Sequence, residues 1–375
     1  MNSKRQRSIA WYFQWAAVGM GAVLNNLEWA TAGVLVPVAI GIHYLLPEWR
    51  LLLFAVSALG ILPLAALMGR ATEVLAHRLG SGVGGILNAT FGNAAELIIA
   101  VVALQAGQIE MVKASITGSI IGNILFVLGL AMLVGGMGRR QQLFNAQAAG
   151  TAASMMLLAV AALLLPTFFH LMVENESMAG MQRLSASIAV VLLITYLLGL
   201  VFTLKTHKDL YTDAEEVLEA APPGGMAGAM ISLVAATVLI ALLSEYLVAS
   251  AEHAATTLHL SNTFIGVMVI AVIGNAAEHS TAVLVAWKGK MNLAITIAVE
   301  SSRQIALFVA PALVLLGLVI GQPMTLEFTL LEVAAVALAV IIMKSIAQDG
   351  ESNWLEGVML LATYVILGIA FYFLP

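Results

Sequence analysis

Residues 88–100 read NATFGNAAELIIA, and residues 271–283 read AVIGNAAEHSTAV. Both contain Gly-Asn-Ala-Ala-Glu, at 92–96 and again at 274–278, inside long apolar stretches. A carboxylate in such surroundings is expensive, and a chain that places the same one twice is using it. In each copy the Asn and Glu are three residues apart, Asn93 with Glu96 and Asn275 with Glu278, so each pair shares a helix face. The glycine four residues before each Glu leaves open space beside it. Close helix packing through small residues accounts for the Gly and Ala of the motif, but not for the Glu.

The rest of the chain explains why these carboxylates stand out. Hydrophobic residues make up 61% of 375 residues, charged residues only 10%, and the mean hydropathy is +0.99. A soluble domain is about 25% charged. There is too little charge here to cover a surface facing water, so most of the surface meets lipid. The net charge of −5 and the lack of a basic patch with interleaved aromatics give nucleic-acid binding no support. Without cysteine, disulfides and thiolate chemistry are excluded. The basic, then apolar N-terminus lacks a persuasive cleavage site and is read as retained.

A membrane crossing takes about 20 apolar residues. Reading between polar breaks predicts eleven helices, near 29–46, 50–75, 82–106, 112–136, 145–171, 183–204, 227–251, 261–287, 291–320, 325–346 and 354–374. A further short surface helix fits residues 8–26. The polar segment 205–225 carries Asp209, Asp213, Glu215, Glu216 and Glu219 before Pro222-Pro223-Gly224-Gly225. It reads as a short acidic helix joining two halves, with a merely solvated loop as the alternative. Basic residues set the orientation. With the N-terminus cytoplasmic, Lys4, Arg5, Arg7, Arg70, Arg78, Arg139, Arg140, Lys205, Lys208, Lys288, Lys290 and Lys344 lie inside. Only Arg50, Lys113 and Arg183 then lie outside, and Arg303 falls within the membrane. The acidic linker is cytoplasmic in that arrangement.

The two motifs fall in the third and eighth predicted spans. Five crossings separate them, so the helices run in opposite directions, as in an inverted-topology repeat built around a site near the bilayer midplane. Matched flanking features support duplication over chance. Each motif follows a helix with a carboxylate near its end, Glu73 or Glu252, and precedes a helix with a small polar cluster, SITGSIIGN (115–123) or ITIAVESSRQ (295–304). With the motifs superimposed, Asn123 and Gln304 coincide within one residue. The expected fold is an all-α integral membrane protein of about eleven transmembrane helices. Residues 1–48 hold an accessory first helix, 49–204 the first five-helix repeat, 205–225 the linker and 226–375 the second repeat.

The candidate ligands are all oxygen donors: Glu96, Glu278, the amides of Asn93, Asn275, Asn123 and Gln304, and the hydroxyls of Ser119, Ser301 and Ser302. Hard cations of the calcium type take six to eight such oxygens. No paired His or thiolate arrangement favours a softer metal. Buried carboxylates also hold protons readily, so protons and a divalent cation compete for the same pair. One divalent cation or two protons leave similar charge in the site. Either loaded form can cross, whereas the empty double anion should not. This is the minimal physics of exchange. The sequence offers no His-Glu-x-x-His, Gly-x-Ser-x-Gly or Gly-x-Gly-Asp, so an intramembrane enzyme has little support, and no cofactor is implied. A passive channel stays open as an alternative, as does self-association.

NATFGNAAELI (88–98) and GNAAEH (274–279) closely resemble the paired signatures of the cation/proton exchanger (CAX) family, the Ca²⁺/H⁺ antiporters of the Ca²⁺/cation antiporter superfamily. LKTHKDL (204–210), LLSEYLV (242–248) and SSRQIALFVAP (301–311) are similar to other family segments. The resemblance runs from about residue 50 to the C-terminus. It implies eleven helices with the first outside the repeat, and a cytosolic acidic helix between the halves. It also implies Ca²⁺ and protons binding alternately at Glu96 and Glu278, with Asn93, Asn275, Asn123 and Gln304 lining the site. An Na⁺/Ca²⁺ or Mn²⁺/H⁺ exchanger of the same superfamily is the near alternative. His279 matches a family His without an assigned role. The linker carboxylates Asp209, Asp213, Glu215, Glu216 and Glu219 are candidate ligands of a regulatory Ca²⁺.

Two departures bear on the site. Family members often carry Pro where this chain has Ala271, so the helix should be less broken before Gly274. The family pattern calls for a small residue at Glu300 and an uncharged one at Arg303. These are three apart and should pair on one helix face, since an unpaired arginine would repel a cation. A third carboxylate altering stoichiometry or metal choice is the sharper alternative.

Overall fold

The computed structural model describes residues 26–173, 177–210 and 225–374. The proposed surface helix at 8–26 and the linker residues Asp213, Glu215, Glu216 and Glu219 fall outside these, and of Asp209 only the backbone is described. Among the described residues eleven helices carry the fold. They are α1 (Asn26–Leu45), α2 (Arg50–Phe91), α3 (Ala94–Gln105), α4 (Ile109–Gly136), α5 (Ala146–Met172), α6 (Met178–Thr206), α7 (Met226–Leu258), α8 (Asn262–Trp287), α9 (Met291–Ile320), α10 (Leu330–Ile346) and α11 (Trp354–Tyr372). Nine of the described helices have a stretch long and apolar enough to span a bilayer.

The predicted boundaries need one correction. Helices expected at 50–75 and 82–106 are replaced by the 42-residue α2, followed by the 12-residue α3. A straight helix of that length would run about 63 Å, twice the hydrocarbon thickness. It does not run straight. A Cβ added at Gly84 would collide with the carbonyl of Ala76, eight residues back, whereas a straight helix holds such residues about 12 Å apart. The helix is therefore bent between Ala76 and Gly84. The end of α2 and α3 together cover the residues expected to form the third crossing. The actual helix break lies further on, at Gly92-Asn93, within the motif itself.

With lipid as solvent, backbone groups at helix ends must be satisfied by the protein. Asn145, Ser177 and Ser261 accept backbone N–H groups at the starts of α5, α6 and α8. Thr329 with Glu332 and Asn353 with Glu356 form reciprocal capping boxes at α10 and α11. A two-residue antiparallel pairing, Gln142–Leu143 with Glu351–Ser352, ties the α4–α5 connection to the α10–α11 connection.

Packing follows two clusters. One joins α1, α2 and α7 with the start of α3, and the other gathers α4 to α6 with the C-terminal part of the chain from α8 onward. The ion pair Glu28–Arg70 ties α1 to α2. Glycines set the closest approaches: Gly118 of α4 lies against the backbone of Val267 in α8, and Gly357 of α11 against that of Gly129 and Leu133 in α4. Outward faces carry Leu165, Val191, Leu198, Val234 and Ile366, all exposed as lipid-facing residues should be.

Candidate cation site

The two motifs meet at the centre of this packing. A Cβ on Gly274 would stand 2.9 Å from Cγ of Glu96, so the glycine of one copy is what makes room for the carboxylate of the other. Glu96 and Glu278 interact electrostatically across this contact.

The copies are held differently. Asn93 occupies the N-cap of α3, yet its side chain makes no capping bond, and Glu96 sits in the first turn, where free N–H groups and the helix dipole favour an anion. In the second copy α8 runs unbroken from Asn262 to Trp287 through Gly274, as the absence of Pro at Ala271 predicted, but contains a π turn at Ile265–Ile270. π turns also interrupt α4 at Gly122–Val127 and α9 at Ile305–Val309. These two fall at matching places when the motifs are superimposed, beside Asn123 and Gln304. π turns recur at functional sites because they offset the side chains on either side. Hydropathy gives little sign of them, since apart from Asn123 the residues inside are glycine or apolar.

The amides and hydroxyls form one connected network between the halves. Asn93 donates from Nδ2 to Oε1 of Gln304 (2.9 Å) and accepts at Oδ1 from the Ser301 hydroxyl (2.9 Å). Asn275 donates to the Ser119 hydroxyl (2.8 Å) and to the carbonyl of Ala271 (2.8 Å), and accepts from Nδ2 of Asn123 (3.3 Å). Asn123 also donates to Ser301 (2.8 Å). The pattern is nearly two-fold: Asn93 with Ser301 and Gln304 mirrors Asn275 with Ser119 and Asn123. Asn93, Asn123 and Asn275 are each 1% exposed. Left without partners, such groups would cost several kcal/mol in hydrocarbon.

Eight of the nine candidate ligands, all but Ser302, are thus brought together, but not in one role. The amide oxygens expected to face the cation are turned onto neighbouring amides and hydroxyls. What the network leaves without a hydrogen-bond partner is Oε1 of Glu96 and Oε2 of Glu278, one buried oxygen from each half. Among the described residues no third His, Asp or Glu joins them to form a metal cluster. Ser302 bonds back to the carbonyl of Ala298 (3.0 Å) and lies outside the network. Glu73 and Glu252 are exposed.

His279 gains the role the sequence left open. Its Nε2 lies 3.1 Å from Oδ1 of Asn123, so the ring donates there and holds the amide with its NH₂ group toward Asn275 and Ser301. The equivalent position in the first copy is Leu97, and the difference between Glu-Leu and Glu-His is the signal the sequence carries for it.

Comparison with known proteins completes the picture. The sodium/calcium exchanger protein family matches residues 49–205 and 228–373. The chain belongs to that family. It is 46% identical to a Ca²⁺/H⁺ antiporter of Aphanothece halophytica, over 91% of this chain and 95% of the relative. It is 43% identical to the Ca²⁺/H⁺ antiporter ChaA of Bacillus subtilis, over 86% of this chain and 92% of that protein. The solved structure of native YfkE superposes with a TM-score of 0.80 at 40% identity, covering 92% of this chain and all of that one. An H⁺/Ca²⁺ exchanger CAX structure shares the fold at 12% identity, with a TM-score of 0.71. The exchanger is a multi-pass, nearly all-helical membrane protein, as composition and spans predicted.

Proposed function

We propose that this exchanger is a secondary antiporter moving Ca²⁺ against H⁺ by alternating access, with Glu96 and Glu278 binding the cation and the protons in turn. The observation that carries the reading is the pair of buried, unpartnered carboxylate oxygens, one from each half, framed by a network whose other donors and acceptors are matched. An oxygen-only site with two negative charges suits a hard divalent cation. The named activities of the 46% and 43% identical relatives support Ca²⁺ and H⁺ as the ions.

The geometry supplies a mechanism for coupling. The amide network fixes the helices that carry the carboxylates, while one oxygen of each carboxylate stays free to exchange ligands. Ca²⁺ binding requires both carboxylates to be ionised; its release leaves two anions in a low-dielectric site, which two protons neutralise. Either neutralised state can reorient, and the bare dianion cannot, because burying unpaired charge is prohibitive. In this reading residues 49–204 and 226–375 are the two moving halves, and the N-terminus and acidic linker face the cytoplasm, as the distribution of Lys and Arg supports.

The test is flux in reconstituted vesicles. An imposed pH gradient should drive uptake of radiolabelled Ca²⁺, and Glu96→Gln or Glu278→Gln should each abolish it. Full flux in both variants would remove the carboxylates from the mechanism. Uptake driven by a sodium gradient instead would assign Na⁺ as the counter-ion.

A further inference from the structure

One charged pair beside the site has no counterpart in the other half. Where α9 carries Glu300 and Arg303, the matching positions of α4 are Gly118 and Ile121. Glu300 directly precedes Ser301 and Arg303 directly precedes Gln304, so each charge is one residue from a member of the site network. Arg303 is 3% exposed. Its guanidinium pairs with Glu300, reaches Sδ of Met155 in α5 (3.3 Å), and lies 5.9 Å from the centre of the Tyr196 ring in α6. Gly199 of α6 leaves the space it occupies: a Cβ there would be 3.3 Å from Nη1. Among the described residues Glu300 is the only carboxylate in an ion pair with Arg303, and one oxygen of Glu300 has no hydrogen-bond partner.

We infer that Glu300 sets the cation affinity of the Glu96–Glu278 site by cancelling the buried charge of Arg303. Neither residue is a ligand. Arg303 packs α9 against α5 and α6 through Met155 and Tyr196, on the side away from the hydrogen-bond network. Its positive charge, in a medium that screens poorly, opposes a divalent cation nearby, and Glu300 removes that opposition. The inference rests on the assignment of Ca²⁺ to Glu96 and Glu278.

Equilibrium binding of Ca²⁺ alone to the purified full-length protein tests both ideas separately. Glu300→Gln leaves Arg303 uncompensated and should weaken binding, on the order of ten-fold. Arg303→Gln should not weaken it, and Glu300→Gln combined with Arg303→Gln should return the affinity to within about three-fold of the wild type. This recovery separates electrostatic compensation from a purely structural role, in which losses accumulate. Gln matches Glu300 in shape and is shorter than Arg303, so thermal unfolding of each variant checks the fold. A variant that unfolds while its charge-neutral partner does not would also show that cancellation matters. The inference is overturned if Arg303→Gln weakens binding as much as Glu300→Gln, or if the double variant is weaker than either. If instead Glu96→Gln with Glu278→Gln leaves Ca²⁺ binding intact, the site assignment itself fails.

Discussion

Gly274→Ala probes the contact that brings the two motifs together. A Cβ at this position would lie 2.9 Å from Cγ of Glu96, 3.5 Å from Cδ and 3.6 Å from Oε1. Relaxed carbon–carbon contacts are about 3.5–4.0 Å, so Cγ has to retreat by roughly 0.6 Å or more. The obstructing atoms belong to a side chain, so Glu96 can rotate away while the helices stay where they are. A displacement of about 1 Å in a reacting group can cost on the order of 100-fold in rate, so a loss of ten-fold or more in kcat/KM for Ca²⁺ is expected. Stability should hold, because Ala in a helix interior is favoured over Gly by about 0.8–1.0 kcal/mol. The assay is pH-driven Ca²⁺ uptake alongside thermal unfolding. Gly33→Ala in α1, which would meet nothing within 4 Å, serves as the control and should behave as the wild type. Wild-type KM and rate in Gly274→Ala would refute the contact as the element that positions Glu96.

Other expectations follow from the same geometry. Only ionised carboxylates bind the cation, so Ca²⁺ affinity should be full at high pH and fall as pH drops, with log Kd approaching a slope of about −2 against pH if both carboxylates must lose a proton; a flat binding profile would contradict competition. Gly118→Ala pushes a Cβ into the backbone of Val267, which cannot rotate away, so it should destabilise the fold by about 1–3 kcal/mol, read as a lower Tm with or without Ca²⁺. Replacing Asp209, Asp213, Glu215, Glu216 and Glu219 with their amides should remove Ca²⁺ activation from the linker side while sparing binding at the transport site. Unchanged activation would make the linker a tether.

Much of this molecule is legible without coordinates. Low charge and long apolar runs fix the solvent as lipid, and the need to satisfy every backbone group there leaves helices as the natural spanning element. The repeated Gly-Asn-Ala-Ala-Glu, read against the parity of crossings between copies, predicts antiparallel halves and singles out Glu96 and Glu278 as the candidate pair. The expected partnering of Glu300 with Arg303 also follows from their spacing, and the structure contains it.

Only the tertiary structure decides what each polar group faces. Hydropathy reports that Asn93, Asn123 and Asn275 lie in apolar surroundings, but a hydrogen bond depends on which helix comes within about 3 Å, and that is set by packing. Those contacts turn the amides onto one another and leave the two carboxylate oxygens open. They also place His279 against Asn123 and Arg303 against α5 and α6. The helix break at Gly92-Asn93, present in one copy of the motif and absent from the other, is likewise invisible in the shared pentapeptide. The same five residues give two local structures, because the break depends on how the neighbouring helices hold each end.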